Sequence, residues 1–138
     1  MVEKRQQTGM RGVFLVAAEL TARGVIASPT SRSTFGADLL VTDQDCLRAF
    51  SVQVKTNARH FNFWLLNKHS KRLKSSSHIY VFVNLSKNDG SPEYYVVPSR
   101  IVAKRMYVER RRGSTWYSFD RSNAIKYENK WSVFGVRN

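Results

Sequence analysis

Cysteine is nearly absent from this chain. Cys46 stands alone, which excludes an internal disulfide and any cysteine-based zinc site. Long apolar runs are missing too. No stretch approaches the roughly 20 apolar residues that a membrane-spanning helix requires. The opening Met1-Val2-Glu3-Lys4-Arg5-Gln6-Gln7 is not followed by a signal-like apolar segment. A cytoplasmic protein without membrane association is the simplest expectation. There is no internal repeat, linker or low-complexity tract, so the 138 residues are expected to form one domain, 1–138. Apolar residues make up 42% of the chain, enough for a core without staples. Histidine is sparse: His60, His69 and His78 share no metal-ligand spacing and are expected at the surface.

Acidic residues are scarce as well. Ten Asp and Glu face 23 Lys and Arg, a formal net charge of +13. Such an excess draws polyanions, because each phosphate neutralised releases a condensed counterion. The imbalance is uneven along the chain. No acid occurs between Asp45 and Asp89, while Arg48, Lys55, Arg59, Lys68, Lys71, Arg72, Lys74 and Lys87 all do. A second basic cluster runs from Arg100 to Arg112. Rings sit within the first cluster at Phe61, Phe63 and Trp64. Basic side chains hold phosphates and flat rings stack on exposed bases. For Trp64 a core position is an equally good reading.

Periodicity gives a mixed α/β order. Met10, Val13, Phe14, Ala17, Leu20 and Thr21 recur at helical spacing, with Thr8 as a cap and Gly24 after the end. Because the run from Val13 to Leu20 is apolar nearly all round, this helix is expected to be buried on more than one side. Residues 28–36 read as a loop, 37–41 and 47–56 as a β-hairpin, and 79–83 and 93–97 as two more strands. A second helix is expected from Pro98-Ser99 to about Arg110, then a strand or loop at Trp116-Tyr117-Ser118-Phe119. Tyr80, Tyr94, Tyr95 and Trp131 are expected in the core.

One constellation suits phosphodiester chemistry. In Ser51-Val52-Gln53-Val54-Lys55, alternation turns Val52 and Val54 to the core and Gln53 and Lys55 to the other face. Asp38 interrupts the apolar segment of the neighbouring strand, where a carboxylate must be paired, hydrogen-bonded or bound to metal. The Asp38 carboxylate and Gln53 carbonyl are hard oxygen donors fit for Mg²⁺. A lysine beside them can orient water or stabilise developing charge. The plain alternative makes Asp38 a turn residue and Lys55 a surface residue of a half-exposed strand.

Gly36-Ala37-Asp38-Leu39-Leu40-Val41 followed by Val52-Gln53-Val54-Lys55-Thr56 resembles the PD-(D/E)XK nuclease core in its Gln-x-Lys form. Gly9-x-x-Gly12, Tyr80-Val81-Phe82-Val83-Asn84-Leu85, Tyr94-Tyr95-Val96-Val97-Pro98-Ser99 and Tyr127-x-Asn129-x-Trp131 resemble small stand-alone members of that superfamily over nearly the whole chain. At the core alone it is similar to archaeal Holliday-junction resolvases and restriction endonucleases. The resemblance implies an α/β, restriction-endonuclease-like mixed β-sheet flanked by helices, and a Mg²⁺-dependent endonuclease in which Mn²⁺ can substitute. Asp38 and Gln53 then become metal ligands and Lys55 the catalytic lysine.

The chain departs from that pattern at one place. The residue after the second glycine of the first helix is usually Glu in this group, and here it is Val13. Glu19, six residues on, lies about 120° around the helix and about 9 Å along it, so it is a second-choice ligand and more simply a partner for an arginine. Arg59, Lys68, Lys71, Arg72 and Lys74 are expected to track a nucleic-acid backbone. Arg32, Ser33 and Thr56 are candidate contacts near the scissile phosphate. DNA is preferred to RNA as partner, and two cuts in a duplex would suit a homodimer. The rivals are a nuclease-derived binding module that no longer cuts, and a basic interaction protein indifferent to Asp38 and Lys55.

Overall fold

The first twenty-odd residues combine strong helix formers with small apolar residues, and in this computed structural model they form α1 (Val2–Ala22). The residues described are 2–31, 36–86 and 90–138, with the side chains of 2 and 3 left aside. Arg32, Ser33 and Lys87 lie outside them. The helix starts earlier than Thr8. It is also buried on one side only: Val13, Val16 and Leu20 are covered, whereas Phe14 is 54% exposed. The apolar run is an apolar stripe plus an exposed phenylalanine.

Five strands form the main sheet: β1 (Ile26–Pro29), β2 (Leu39–Thr42), β3 (Ala49–Asn57), β5 (His78–Asn84) and β6 (Glu93–Pro98), in the order β1-β2-β3-β5-β6. Only β3 and β5 run parallel. Every residue of β5 is buried, as befits a β-branched and aromatic segment covered on both faces. β1 is not expected from the sequence, and it takes in Ser28 and Pro29, the first two residues of the expected loop. Both are poor strand formers, but an edge strand tolerates proline, and pairing with β2 holds it.

A second, antiparallel sheet has the order β4-β8-β7, from β4 (Phe63–Leu65), β7 (Tyr107–Arg111) and β8 (Ser114–Asp120). The second helix, α2 (Ser99–Arg105), therefore ends before Arg110. Met106 turns to an extended conformation and the next five residues pair with β8. The chain closes with α3 (Arg121–Ala124) and two short 3-10 turns, Ile125–Tyr127 and Trp131–Phe134.

Alternation along the strands sorts the core into two layers. On one face Leu39, Val41, Val52, Val54, Val81, Val83 and Val96 meet Val13, Val16 and Leu20 of α1, with Trp131 and Phe134. On the other, Tyr80, Phe82, Tyr95 and Val97 meet Trp64 and Phe119 of the second sheet and Val102 and Met106 at α2. Full burial stabilises such aliphatic and phenylalanine side chains by roughly 1.5–3 kcal/mol each. Trp64 is a core residue: it is 1% exposed and its indole N–H donates to the Val83 carbonyl over 2.9 Å. Tyr80, Tyr94, Tyr95 and Trp131 are buried as expected. The second sheet and α2 cover β5 and β6 but leave the same face of β2 and β3 partly open. Leu40 there is exposed, and Ser51, Gln53, Lys55 and Asn57 are half-buried.

Candidate nuclease site

The register of β2 and β3 pairs Leu39 with Val52, which sets Asp38 across from Gln53. The Asp38 backbone N–H donates to the Val52 carbonyl over 2.7 Å. Its carboxylate bends over the partner strand: Oδ2 accepts the Val54 N–H at 2.8 Å and the Gln53 side-chain amide at 3.0 Å. Two donors on one oxygen fix the carboxylate plane. Among the described residues Oδ1 has no hydrogen-bond donor.

Lys55 follows Gln53 by two residues on the same face, about 6.6 Å along the strand. Burial pushes its ammonium below the usual lysine value, and the nearby Asp38 charge acts in the opposite direction. An amine, an amide and a carboxylate thus share one partly open stretch of a sheet face. The carboxylate and, after a flip of its amide, Gln53 offer oxygen donors to a hard cation. The lysine offers N–H donors to a phosphoryl oxygen or a water.

Basic residues lie on the loops that follow β3 and precede β5. Lys68–Lys71 form a 3-10 turn capped by Asn67, whose side chain accepts the His69 N–H. Lys68, Arg72 and Lys74 are exposed, and Lys71 Nζ donates to the Ala103 carbonyl in the last turn of α2 over 3.3 Å. A Cβ placed on Gly36 would stand 3.6 Å from Leu73 Cδ1, so the segment leading to Asp38 passes beside this basic loop. Arg59 lies exposed on the β3–β4 connection, its guanidinium 4.8 Å from the Phe61 ring centre.

Three sequence candidates stand elsewhere. Thr56 shares the inner face with Val52 and Val54. Its hydroxyl is buried against Gly12 of α1, so it is turned from the Gln53–Lys55 face. Glu19 pairs with Arg23 at 2.7 Å, and Arg23 lies over the Trp131 ring, on the helix side of the sheet. Val13 is 2% exposed within the same core layer as Val52 and Val54. Arg32 and Ser33 fall outside the described residues.

One feature of this face escapes the sequence. His78 is not at the surface but 5% exposed, with Nδ1 2.7 Å from the Ser51 hydroxyl. The pairing of Ser51 with His78 between parallel strands brings them together. The position of His78 directly before the apolar run of β5 is the signal that marks it as a strand residue.

No protein-family model matches the chain, and no curated protein matches it in sequence. A solved structure does match: Hjc of Archaeoglobus fulgidus, a Holliday junction resolvase from an archaeal hyperthermophile. The TM-score is 0.52, over 86% of this chain and 88% of that one, at 14% sequence identity. The fold expected from the sequence is thereby borne out. It is a restriction-endonuclease-like mixed β-sheet flanked by helices.

Proposed function

We propose that this chain is a metal-dependent endonuclease of the PD-(D/E)XK type, hydrolysing phosphodiester bonds in DNA in preference to RNA. The observation that carries the reading is that Asp38, just before β2, and Gln53 and Lys55 of β3 share one partly open face of the sheet. That face belongs to a fold shared with the Hjc resolvase. The formal charge of +13 and the exposed Lys68, Arg72 and Lys74 beside the site suit a phosphodiester backbone.

The donor set fits Mg²⁺, with Mn²⁺ able to substitute, as a site with one carboxylate. Among the described residues no cluster of three His, Cys, Asp or Glu side chains exists. Mg²⁺ is commonly held by one or two carboxylates together with substrate phosphate and water, so Asp38 and a flipped Gln53 amide would hold it. When bound, such an ion lowers the pKa of an attached water and stabilises charge on the phosphoryl group. Asp38 is oriented for this by the Val54 N–H. Lys55 places a cation against a phosphoryl oxygen, and the depression of its pKa by burial eases proton exchange with water. A homodimer would supply two such sites for two cuts in a duplex.

The reading of a binding module that no longer cuts is favoured by one observation: α1 offers Val13, buried in the core, where the resemblance places a carboxylate. Titration with Mn²⁺, followed by its paramagnetic resonance signal, separates the two. The endonuclease reading expects one bound ion, tighter when DNA is present and lost in Asp38→Asn. An Asp38→Asn protein that binds Mn²⁺ as the wild type does would contradict it.

A further inference from the structure

Strand alternation turns Trp64, Tyr117 and Phe119 of the second sheet inward, and Phe63, Leu65, Tyr107 and Trp116 outward. The outward side chains make an apolar patch in which Trp116 is half-buried and donates its indole N–H to the buried Ser118 hydroxyl over 3.2 Å. Phe61 and Phe63 are 38% and 37% exposed, and Leu65 and Tyr107 about half. Three of the rings form a row. The Phe61 and Phe63 centres are 6.2 Å apart with their planes at 46°, and those of Phe63 and Trp116 are 5.9 Å apart at 59°, so each ring offers its own separately oriented face. A guanidinium lies over one face of each outer ring, Arg59 at 4.8 Å from the Phe61 centre and Arg111 at 4.8 Å from the Trp116 centre, which leaves the opposite faces and Phe63 to a ligand.

We infer that this row is a stacking platform for an unpaired nucleic-acid strand. Three considerations select that occupant. First, Arg59 makes one end of the row cationic on a chain of net charge +13, which complements phosphate, while Arg111 at the other end is ion-paired. A second copy laid face to face would instead set one chain of net charge +13 against another. Glu109 is neutralised by Arg111 at 2.8 Å, leaving Asp120, opposite Phe63 in the ladder, as an unbridged acid on this face among the described residues. Second, the ring-to-ring steps exceed the roughly 3.4 Å per nucleotide of a duplex strand. The row therefore fits bases that have left a stack, whereas paired bases offer it no free face. Third, the row adjoins the strand that carries Lys55. Asn57 lies two residues beyond Lys55 on the same face of β3, and its side chain donates to the Phe63 carbonyl over 2.9 Å. That the row and the Lys55 face serve one strand rests on the endonuclease reading; the binding surface does not.

The test uses the full chain in metal-free buffer, so that cutting plays no part. Probes are an oligothymidine long enough for the ~4–16 nucleotides such surfaces engage, a deoxyribose-phosphate strand of equal length without bases, and a duplex. Trp64 and Trp131 are buried at 1% and 0% exposure, so quenching that disappears in Trp116→Phe reports on Trp116. Quenching by the base-bearing strand and not by the baseless one is expected, with about tenfold tighter binding of the former. Phe63→Leu with Trp116→Leu keeps an apolar side chain at each position, removes the rings and is expected to abolish that preference while duplex binding stays. Equal affinity for the two single strands, or wild-type preference in the double variant, would overturn the inference. So would a wild-type dimer that Phe63→Ser with Trp116→Ser converts to monomer in sedimentation. A chain that stacks and never cuts supports this surface and sinks the endonuclease reading; one that cuts without stacking does the converse.

Discussion

Gly12 of α1 lies against Thr56 of β3 so closely that a Cβ on residue 12 would stand 2.8 Å from the Thr56 Cβ and overlap its hydroxyl. The contact sets the height of the helix over the strand that carries Gln53 and Lys55. It also leaves the Thr56 hydroxyl buried, with no hydrogen-bond partner among the described residues.

Gly12→Ala is therefore expected to destabilise the fold. Overpacking of about 1–3 kcal/mol outweighs the gain of up to about 1 kcal/mol in helix propensity. The midpoint of urea unfolding measures it. Adding Thr56→Ala should recover only part of the loss, because the Thr56 Cβ is itself within the overlap. A Gly12→Ala protein at least as stable as wild type would show that the helix can lift without cost.

How far the sequence reaches depends on whether a feature is local or made across strands. Strands β3, β5 and β6 are legible because their apolar residues alternate or run on without break, and the Asp38, Gln53, Lys55 set follows from that alternation plus the pairing of β2 with β3. The overturned expectations are tertiary. β1 exists because β2 offers it a partner. α2 stops at Arg105 because Tyr107–Arg111 finds β8, although helix formers continue. His78 is buried because Ser51 of a parallel strand accommodates its ring. Phe14 and Val13 are adjacent and equally apolar, yet only the helix azimuth decides which faces solvent.

Trp64 and Trp116 divide the roles that composition left together. Trp64→Phe removes the hydrogen bond to Val83 and some core volume. It should lower stability by about 1–3 kcal/mol while leaving nucleic-acid affinity at the wild-type level. Denaturant unfolding and fluorescence anisotropy on the same sample check the two halves. A Trp64→Phe protein of native stability that has lost affinity would reverse the assignment.

The buried histidine gives the fold an acid-sensitive element. Burial holds the His78 imidazole below its usual value of 6.5, only partly offset by the hydrogen bond at Ser51. The unfolded chain therefore takes up a proton first as pH falls through about 6.5. Stability is full above that value and declines below it, towards the lower pKa of the folded state. Unfolding midpoints at about pH 7.5 and about pH 5.5 should differ in wild type and differ less in His78→Gln. Equal slopes in the two proteins would place the acid sensitivity at another group.

The central claim is that Asp38 and Lys55 act together on a phosphodiester. Its most direct measurement is cleavage of supercoiled plasmid and of branched DNA in Mg²⁺ and in Mn²⁺, with wild type beside Asp38→Asn and Lys55→Ala and with DNA binding recorded for all three. Wild type should cut, and each variant should lose at least about 100-fold in rate while still binding DNA. A folded wild type that binds DNA and cuts in neither metal, or an Asp38→Asn protein that cuts as well as wild type, would contradict the account.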